Sequence, residues 1–358
     1  MEFVVQNAIK TSEGQKTTYD GLIGQATIKV IGAGGGGNNM VDWLYKKGVS
    51  GAEIISINTD KQHLDFREAD KKILIGRDLT KGLGAGGNPA VGTESAREQI
   101  HEVKESIRGA DMLFLTAGLG GGTGTGAIPV IAQAAKEMGC IVICVVTMPF
   151  TIEKARIDKA EWGLKQLRQC CDTVIVIDNN RLATIAGNLP IQQAFAVANE
   201  LISTMIKGIV EIIAVPSLIN MDFADVKTIM SKGDVSVIGI GEADDEKRAI
   251  TAVKRALSNP LLDVDYKGAN GALIHITGGA DLTLDEAEQV GKLVTDNLDA
   301  DAMVMWGARI EDDMQGKIRV MTIITGVKSP FVLGKAAQGR ASEKTIEMNS
   351  ELGIDMIR

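Results

Sequence analysis

Aromatic residues make up only 4% of this 358-residue chain, too few for a platform on which nucleic-acid bases stack. Positive charge is in deficit as well. Lys and Arg number 38 against 46 Asp and Glu, a formal net charge of −8, which argues against phosphate-backbone binding as the main activity. Cysteine is sparse: Cys140, Cys144, Cys170 and Cys171 contain no CxxC and no zinc spacing. Neither a disulfide framework nor a zinc site emerges, which fits a reducing cytosol. The three histidines, His63, His101 and His275, lie far apart in sequence and read better as satisfied polar residues than as a metal site or triad. No apolar run approaches the ~18 residues of a membrane span, and the N-terminus lacks the basic-then-apolar pattern of a signal peptide. What remains is 45% hydrophobic and 23% charged, a globular composition with enough apolar surface for one large core or two domains.

Residues 1–25 are polar with weak periodicity and read as an extension. From Ala26 the pattern becomes strand, glycine loop, helix. ATIKVIGAG, EIISINTD, KKILIG, DMLFLTAG, CIVICVVTMPF and DTVIVIDNN are β-rich runs. Helical stretches such as NNMVDWLYKKG, TESAREQIHEVKESIRG and AIPVIAQAAKEMG lie among them. Near-continuous apolar strands imply burial on both faces, hence an α/β doubly wound, mostly parallel sheet with ligands at the carboxyl ends of its strands. Over residues 191–214, Phe195, Ala198, Ile202, Met205, Ile209 and Ile212 recur at helical spacing. Pro190 stands before this long helix and Pro216 just after it. Four further strands and two helices (245–257 and 284–298) form a second, smaller α+β layer whose later strands are open to antiparallel pairing. The expected division is a nucleotide-binding domain over 26–190, a connecting helix over 191–215, an α+β domain over 216–328 and a tail over 329–358. No internal repeat is present.

Two glycine-rich stretches carry the chemistry. GAGGGGNN (Gly32–Asn39) satisfies GxGxxG through Gly32, Gly34 and Gly37, and Asp60 ends the next strand at the distance a dinucleotide fingerprint expects. A nicotinamide-dependent oxidoreductase is thus one reading. GLGGGTGTG (Gly118–Gly126) also joins a strand to a helix and forms a second anion nest, with hydroxyls at Thr123 and Thr125. Glycine in an ordered element costs about 0.5–1 kcal/mol relative to alanine, so a ligand that needs the backbone close would offset this density. One dinucleotide needs one pyrophosphate cradle. Two adjacent cradles suit the longer phosphate chain of a nucleoside triphosphate, and KGLGAGGNP (Lys81–Pro89) could close over its end. No GxxxxGK[ST] is present, so this is not a P-loop chain.

VIGAGGGGNN, INTD, GLGAGGNP, GGGTGTG, MPF, LINMDFADVK and NPLLD, in this order over roughly residues 27–328, resemble the FtsZ family of prokaryotic cell-division GTPases, within the tubulin superfamily. The resemblance implies phosphate binding at Gly35, Gly36, Gly37, Asn38 and Asn39 and at Gly122, Thr123 and Gly124. Ribose and base contacts fall on Glu153, Arg156, Asn179 and Asn199. Arg156 follows Glu153 by three residues where the family pattern has four. Asparagine offers a purine edge both a donor and an acceptor; residues alone would make Asn199 a helix-surface position. The guanine preference comes from the resemblance.

Asp222 and Asp225, with Asn220 before them, are read first as a helix cap. They also have the chemistry to orient a water for attack on phosphorus. The resemblance places them in the nucleotide site of the next subunit, so that head-to-tail assembly completes the catalytic centre. It also implies GTP and GDP as ligands and Mg2+ as cofactor, because no P-loop lysine neutralises the triphosphate. The implied partners are further copies of the chain and a membrane tether on the terminal LGIDMIR, with no nucleic acid and no membrane insertion. The expected location is the cytoplasm, at the division site. A tubulin-like cell-shape filament with little turnover is the alternative.

Overall fold

The computed structural model describes residues 26–215, 217–219, 222–230, 236–258, 266, 269–296, 298–299 and 301–327. Six strands, β1 (Ile28–Ala33), β2 (Ala52–Asn58), β3 (Lys71–Leu74), β4 (Met112–Gly118), β5 (Ile141–Met148) and β6 (Thr173–Asp178), form one sheet in the order β3-β2-β1-β4-β5-β6. Every pairing in it is parallel. The order runs outward in both directions from β1 and β4, so the topological switch point lies between these two strands. Val30, Ile31, Leu113, Phe114 and Leu115 are fully buried, as expected of strands covered on both faces.

Around this sheet the chain forms α1 (Gly34–Lys47), α2 (Lys61–Asp65), α3 (Arg77–Thr80), α4 (Pro89–Glu98), α5 (Ile100–Ile107), α6 (Thr123–Glu137), α7 (Ala155–Cys170) and α8 (Asn179–Ala186). Three readings of the sequence need correction. The helix expected from Thr93 begins at Pro89, capped by the Asn88 side chain, and breaks at Gln99. The Gln99 side chain there accepts from Gly76 N–H. Helix α7 was not foreseen; its charged face leaves little hydrophobic contrast, with Ala160, Gly163, Leu164, Leu167 and Cys170 buried. Helix α8 was hidden inside the end of the sixth strand, where Asp178 caps it by accepting from Asn180 N–H.

The long helix α9 (Ile191–Ala214) is as foreseen. Beyond it lie α10 (Phe223–Met230) and a second sheet of β7 (Ser236–Ala243), β8 (Gly271–Gly278), β9 (Met303–Ile310) and β10 (Ile318–Thr325), ordered β7-β10-β8-β9. β10 is antiparallel to both neighbours and β8 is parallel to β9. Helices α11 (Arg248–Leu257) and α12 (Leu284–Thr295) cover its outer face. The core of α9 belongs to both sheets. Ile202, Met205, Ile206, Ile209 and Val210 are buried in one cluster with Val30 and Phe114 of the first sheet and with Ile238, Leu273, Met321 and Ile323 of the second. Each such side chain contributes about 1.5–3 kcal/mol on burial. A second cluster fills the opposite face of the first sheet under α5, α6 and α7.

Candidate functional site

β1 and β4 are neighbours, with Gly32 opposite Thr116. Each strand hands the chain to a helix: β1 through Ala33 into α1, β4 through the signature stretch into α6. The two glycine stretches are therefore largely first helical turns, since α1 starts at Gly34 and α6 at Thr123. Neither helix has a side-chain cap and neither has an acidic residue in its first turn. Four other helices are capped by a side chain: Asp60 on α2, Asn88 on α4, Asp178 on α8 and Thr283 on α12 each accept a backbone N–H. Helices α9 and α11 also lack both a side-chain cap and an acidic first turn, but they do not start at the switch point. Two uncapped helix N-termini side by side at the switch point present free amides and positive dipole ends, the arrangement that binds phosphate.

Close packing explains much of the glycine. A Cβ on Gly34 would lie 2.8 Å from Gly124 N, one on Gly36 3.0 Å from Gly118 N, and one on Gly124 3.0 Å from Ala33 O. The two stretches thus interlock backbone to backbone. In the second stretch a Cβ on Gly122 would come within 2.8 Å of Asn88 N, and one on Gly126 within 2.0 Å of Pro89 O. Those two glycines let α4 lie against α6. Gly35 is open by comparison: it is exposed, and the nearest atom to a Cβ there is His63 Nε2 at 3.9 Å. The expectation that a ligand alone offsets the glycine cost is corrected, because intramolecular packing offsets part of it. So is the expectation for the threonines. Thr125 is fully buried and accepts from Gly120 N–H at 2.9 Å, and the Thr123 hydroxyl lies 2.7 Å from that of Thr59.

Asn38 and Asn39 follow the exposed turn. The fully buried Asn38 holds the loop from behind: its Nδ2 is within reach of the carbonyls of Gly32 (2.7 Å), Ile57 (3.1 Å) and Gly34 (3.3 Å), and its Oδ1 accepts from Asn58 Nδ2 at 3.1 Å, the amide orientation that satisfies the network. Asn39 Oδ1 is buried without a hydrogen-bond partner among the described residues, an acceptor that a ligand donor would satisfy. Asp60 is not free for a ribose. It accepts from His63 N–H at 2.9 Å as the cap of α2, which removes the support it lent to the dinucleotide reading.

Glu153 and Arg156 are brought together. Glu153 Oε1 accepts from Phe150 N–H at 2.9 Å, and Glu153 Oε2 lies 2.6 Å from Arg156 Nη1. The short spacing is absorbed at Lys154, whose backbone takes φ 24° and ψ −82° between the 3-10 turn Thr151–Glu153 and α7. Asn180, which sequence reasoning passed over beside Asn179, ties this turn to the end of β6: its Oδ1 accepts from both N–H and hydroxyl of Thr151 at 2.9 Å. Asn179 opens α8, half-buried. Asn199 is half-buried on α9, one turn before Ser203, whose hydroxyl donates to Met40 O of α1 at 3.4 Å. The same region of α9 is held by Trp43 Nε1 donating to Glu200 at 2.7 Å and by the Phe150–Phe195 edge contact at 6.0 Å. Asn199 therefore stands on the α1 side of the sheet, near the switch point.

Asp222 and Asp225 are not at this edge. The Thr173 hydroxyl donates to Met230 O at 3.4 Å, which places the end of α10 at the amino end of β6. Ala214, the last residue of α9, packs on Gly51, just before β2. The acidic pair follows α9 on that side, about one strand length (~20 Å) from the glycine stretches. Asp225 N–H donates to Asp222 Oδ1 at 2.7 Å and Asp222 N–H to Asp225 Oδ2 at 3.4 Å, the reciprocal exchange of a capping box. Asp222 is exposed. Asn220 lies outside the described residues, as does the LGIDMIR tail.

Residues 27–187 match the family model described as the Tubulin/FtsZ family, GTPase domain, and residues 234–328 match that of the FtsZ family, C-terminal domain. The chain is 55% identical to cell division protein FtsZ 2 of Methanocaldococcus jannaschii over 335 residues, covering 93% of this chain and 88% of the relative. It is 49% identical to FtsZ 2 of Haloferax volcanii over 356 residues, covering 98% and 89%. Among solved structures, an empty FtsZ dimer of M. jannaschii superposes with a TM-score of 0.79 at 48% identity, covering 90% of this chain and 92% of that one. CetZ2 from H. volcanii, at 23% identity and a TM-score of 0.73, shares the fold.

Proposed function

This chain belongs to the FtsZ branch of the tubulin/FtsZ family, the cell-division GTPases of the tubulin superfamily, and from that premise we propose how its residues bind and cleave GTP. Amides of Gly35, Gly36 and Gly37 and of Gly122, Thr123 and Gly124 hold the phosphate chain between the two uncapped helix ends. Asn38 keeps the first turn in shape, and Asn39 offers its unsatisfied oxygen to a hydroxyl or N–H donor of the nucleotide, since phosphate oxygens only accept. Glu153, Arg156 and Asn179 hold the ribose, and Asn199 the guanine edge. Magnesium, when bound, neutralises phosphate charge. Among the described residues no cluster of three or more His, Cys, Asp or Glu could hold an ion.

Hydrolysis needs an oriented water, and neither uncapped helix carries an acidic residue in its own first turn. Asp222 and Asp225 have that chemistry, and each carboxylate keeps one oxygen outside their mutual exchange. They sit at the amino edge of the sheet, so they serve the nucleotide of the next molecule. Stacking one molecule's amino edge on the next one's carboxyl edge is a heterologous contact, which propagates as a filament. Water adds to the γ-phosphorus, the bond to the β-phosphate oxygen breaks, and GDP and phosphate leave. Loss of the γ-phosphate then loosens the contact. The same reading assigns Asn220 to this loop, treats residues 26–190, 191–215 and 216–328 as nucleotide domain, connecting helix and second domain, and places the filament at the division site through a tether on the terminal LGIDMIR. Among the described residues no helix is long and apolar enough to cross a membrane.

The observation that carries this reading is the separation of the acidic pair from the uncapped helix ends by the length of the sheet. Separate Asp222→Ala and Asp225→Ala variants will bind GTP as the parent does, while turnover falls at least a hundredfold, measured as phosphate release beside light scattering. In the parent, specific activity will rise with protein concentration above a threshold. Full turnover in both variants, or equal specific activity in dilute monomer and concentrated sample, defeats the reading.

A further inference from the structure

The imidazole of His63 takes no part in the roles given above. It stands on α2, half-buried, with Nε2 3.9 Å from the position of a Cβ on Gly35. Its tautomer follows from a chain of hydrogen bonds. Asn58 Oδ1 accepts from Thr59 N–H at 2.9 Å and from Asp60 N–H at 3.3 Å. That fixes the Asn58 amide with its nitrogen toward Asn38 Oδ1 at 3.1 Å and His63 Nδ1 at 3.4 Å. An amide nitrogen only donates, so Nδ1 accepts and the ring proton sits on Nε2. Nε2–H has no hydrogen-bond partner among the described residues and stands beside the exposed turn of the phosphate loop. Asn58 and Asn38 thus hold the loop and the imidazole through one network.

The segment that flanks this side is the third glycine stretch. Lys61 N–H donates to Gly82 O at 3.0 Å and Gly84 N–H to Thr59 O at 3.1 Å. The open end of the cradle therefore lies between His63 and residues 81–89, where the last phosphate of the chain would sit.

We propose that His63, as a neutral Nε2–H donor, binds the terminal phosphate of the nucleoside triphosphate and so helps the site distinguish triphosphate from diphosphate. This rests on the nucleotide reading of the preceding subsection. The charged groups that act on the ring are Arg67, Asp60 and Asp42. Burial, with Arg67 next, holds its pKa below the usual histidine range, while Asp60 and Asp42 oppose that shift. The ring is accordingly neutral at pH 7, and its donor is present without a proton having to be taken up. A neutral donor to a charged phosphate oxygen is a charge-assisted hydrogen bond.

The test compares equilibrium binding of a non-hydrolysable GTP analogue and of GDP to the full chain and to His63→Ala and His63→Gln. His63→Ala will weaken analogue binding about tenfold and GDP binding less than twofold, and His63→Gln, which retains a donor, will recover most of the loss. Equal weakening toward both nucleotides, or none, overturns the assignment. Should His63→Ala not fold, nitrogen NMR of the parent decides. The His63 ring will show the neutral Nε2–H pattern, and the analogue but not GDP will shift it. An Nδ1–H pattern, or the same response to both ligands, overturns the proposal. If the parent chain binds no GTP at all, the nucleotide reading itself has failed, whatever the variants do.

Discussion

The two glycine stretches look alike in sequence and are used differently. In the first, Gly35 is exposed and a Cβ there would have ordinary space, so the turn faces outward. In the second, Gly122 and Gly126 are buried against Asn88 and Pro89, and Thr125 closes the turn on Gly120 N–H. The first stretch is open to a ligand at its exposed turn, although Gly32 and Gly37 are packed as closely as the glycines of the second. The other is in good part a packing device that brings α4 against α6 and so holds the second helix end next to the first. Glycine content alone does not separate a binding loop from a close backbone approach; the neighbour of each missing Cβ does.

Three substitutions test this contrast. The largest effect is expected at Gly126→Ala. Alanine gains about 1 kcal/mol of helix propensity over glycine, but its Cβ would lie 2.0 Å from a backbone oxygen, and overpacking of that kind costs more than the gain. A net loss of about 2 kcal/mol is expected in urea unfolding, and a variant as stable as the parent would break the comparison. Next is Thr125→Val, which leaves the buried Gly120 N–H without its acceptor. The expected loss is about 1.5 kcal/mol, read in the same unfolding measurement. Smallest in stability is Gly35→Ala, where the change stays within about 0.5 kcal/mol while GTP affinity falls. If Gly35→Ala bound GTP normally, the outward turn would not be the phosphate contact.

The legibility of the chain followed contrast in hydrophobicity. The six parallel strands were readable because their apolar runs are near-continuous, as in MLFLTA, and α9 because its apolar residues recur at helical spacing along its 24 residues. Helix α7 was missed because it buries one narrow stripe, and α8 because Asp178, Asn179 and Asn180 look like a turn when they are in fact a cap and a first helical turn. At the site, the glycine stretches and the INTD segment were visible as residue types. Which threonine bonds inward, that Asp60 is engaged as a cap, and that Asn180 rather than Asn179 anchors the Thr151 turn were not, since each depends on atoms far apart in sequence.

Local chemistry written in the chain settled which stretches become strands, where glycine permits a tight turn into a helix, and which side chains are able to bind phosphate or polarise water. Only the tertiary arrangement decided where those groups stand. The strand order sets β1 beside β4 and brings two uncapped helix ends to one edge. The 24-residue α9 carries the chain across the sheet to Asp222 and Asp225 at the other. The reason is physical: backbone preference and hydrophobic period act over a few residues, whereas which ends of a parallel sheet face each other is fixed by how its strands and crossings pack around a shared core.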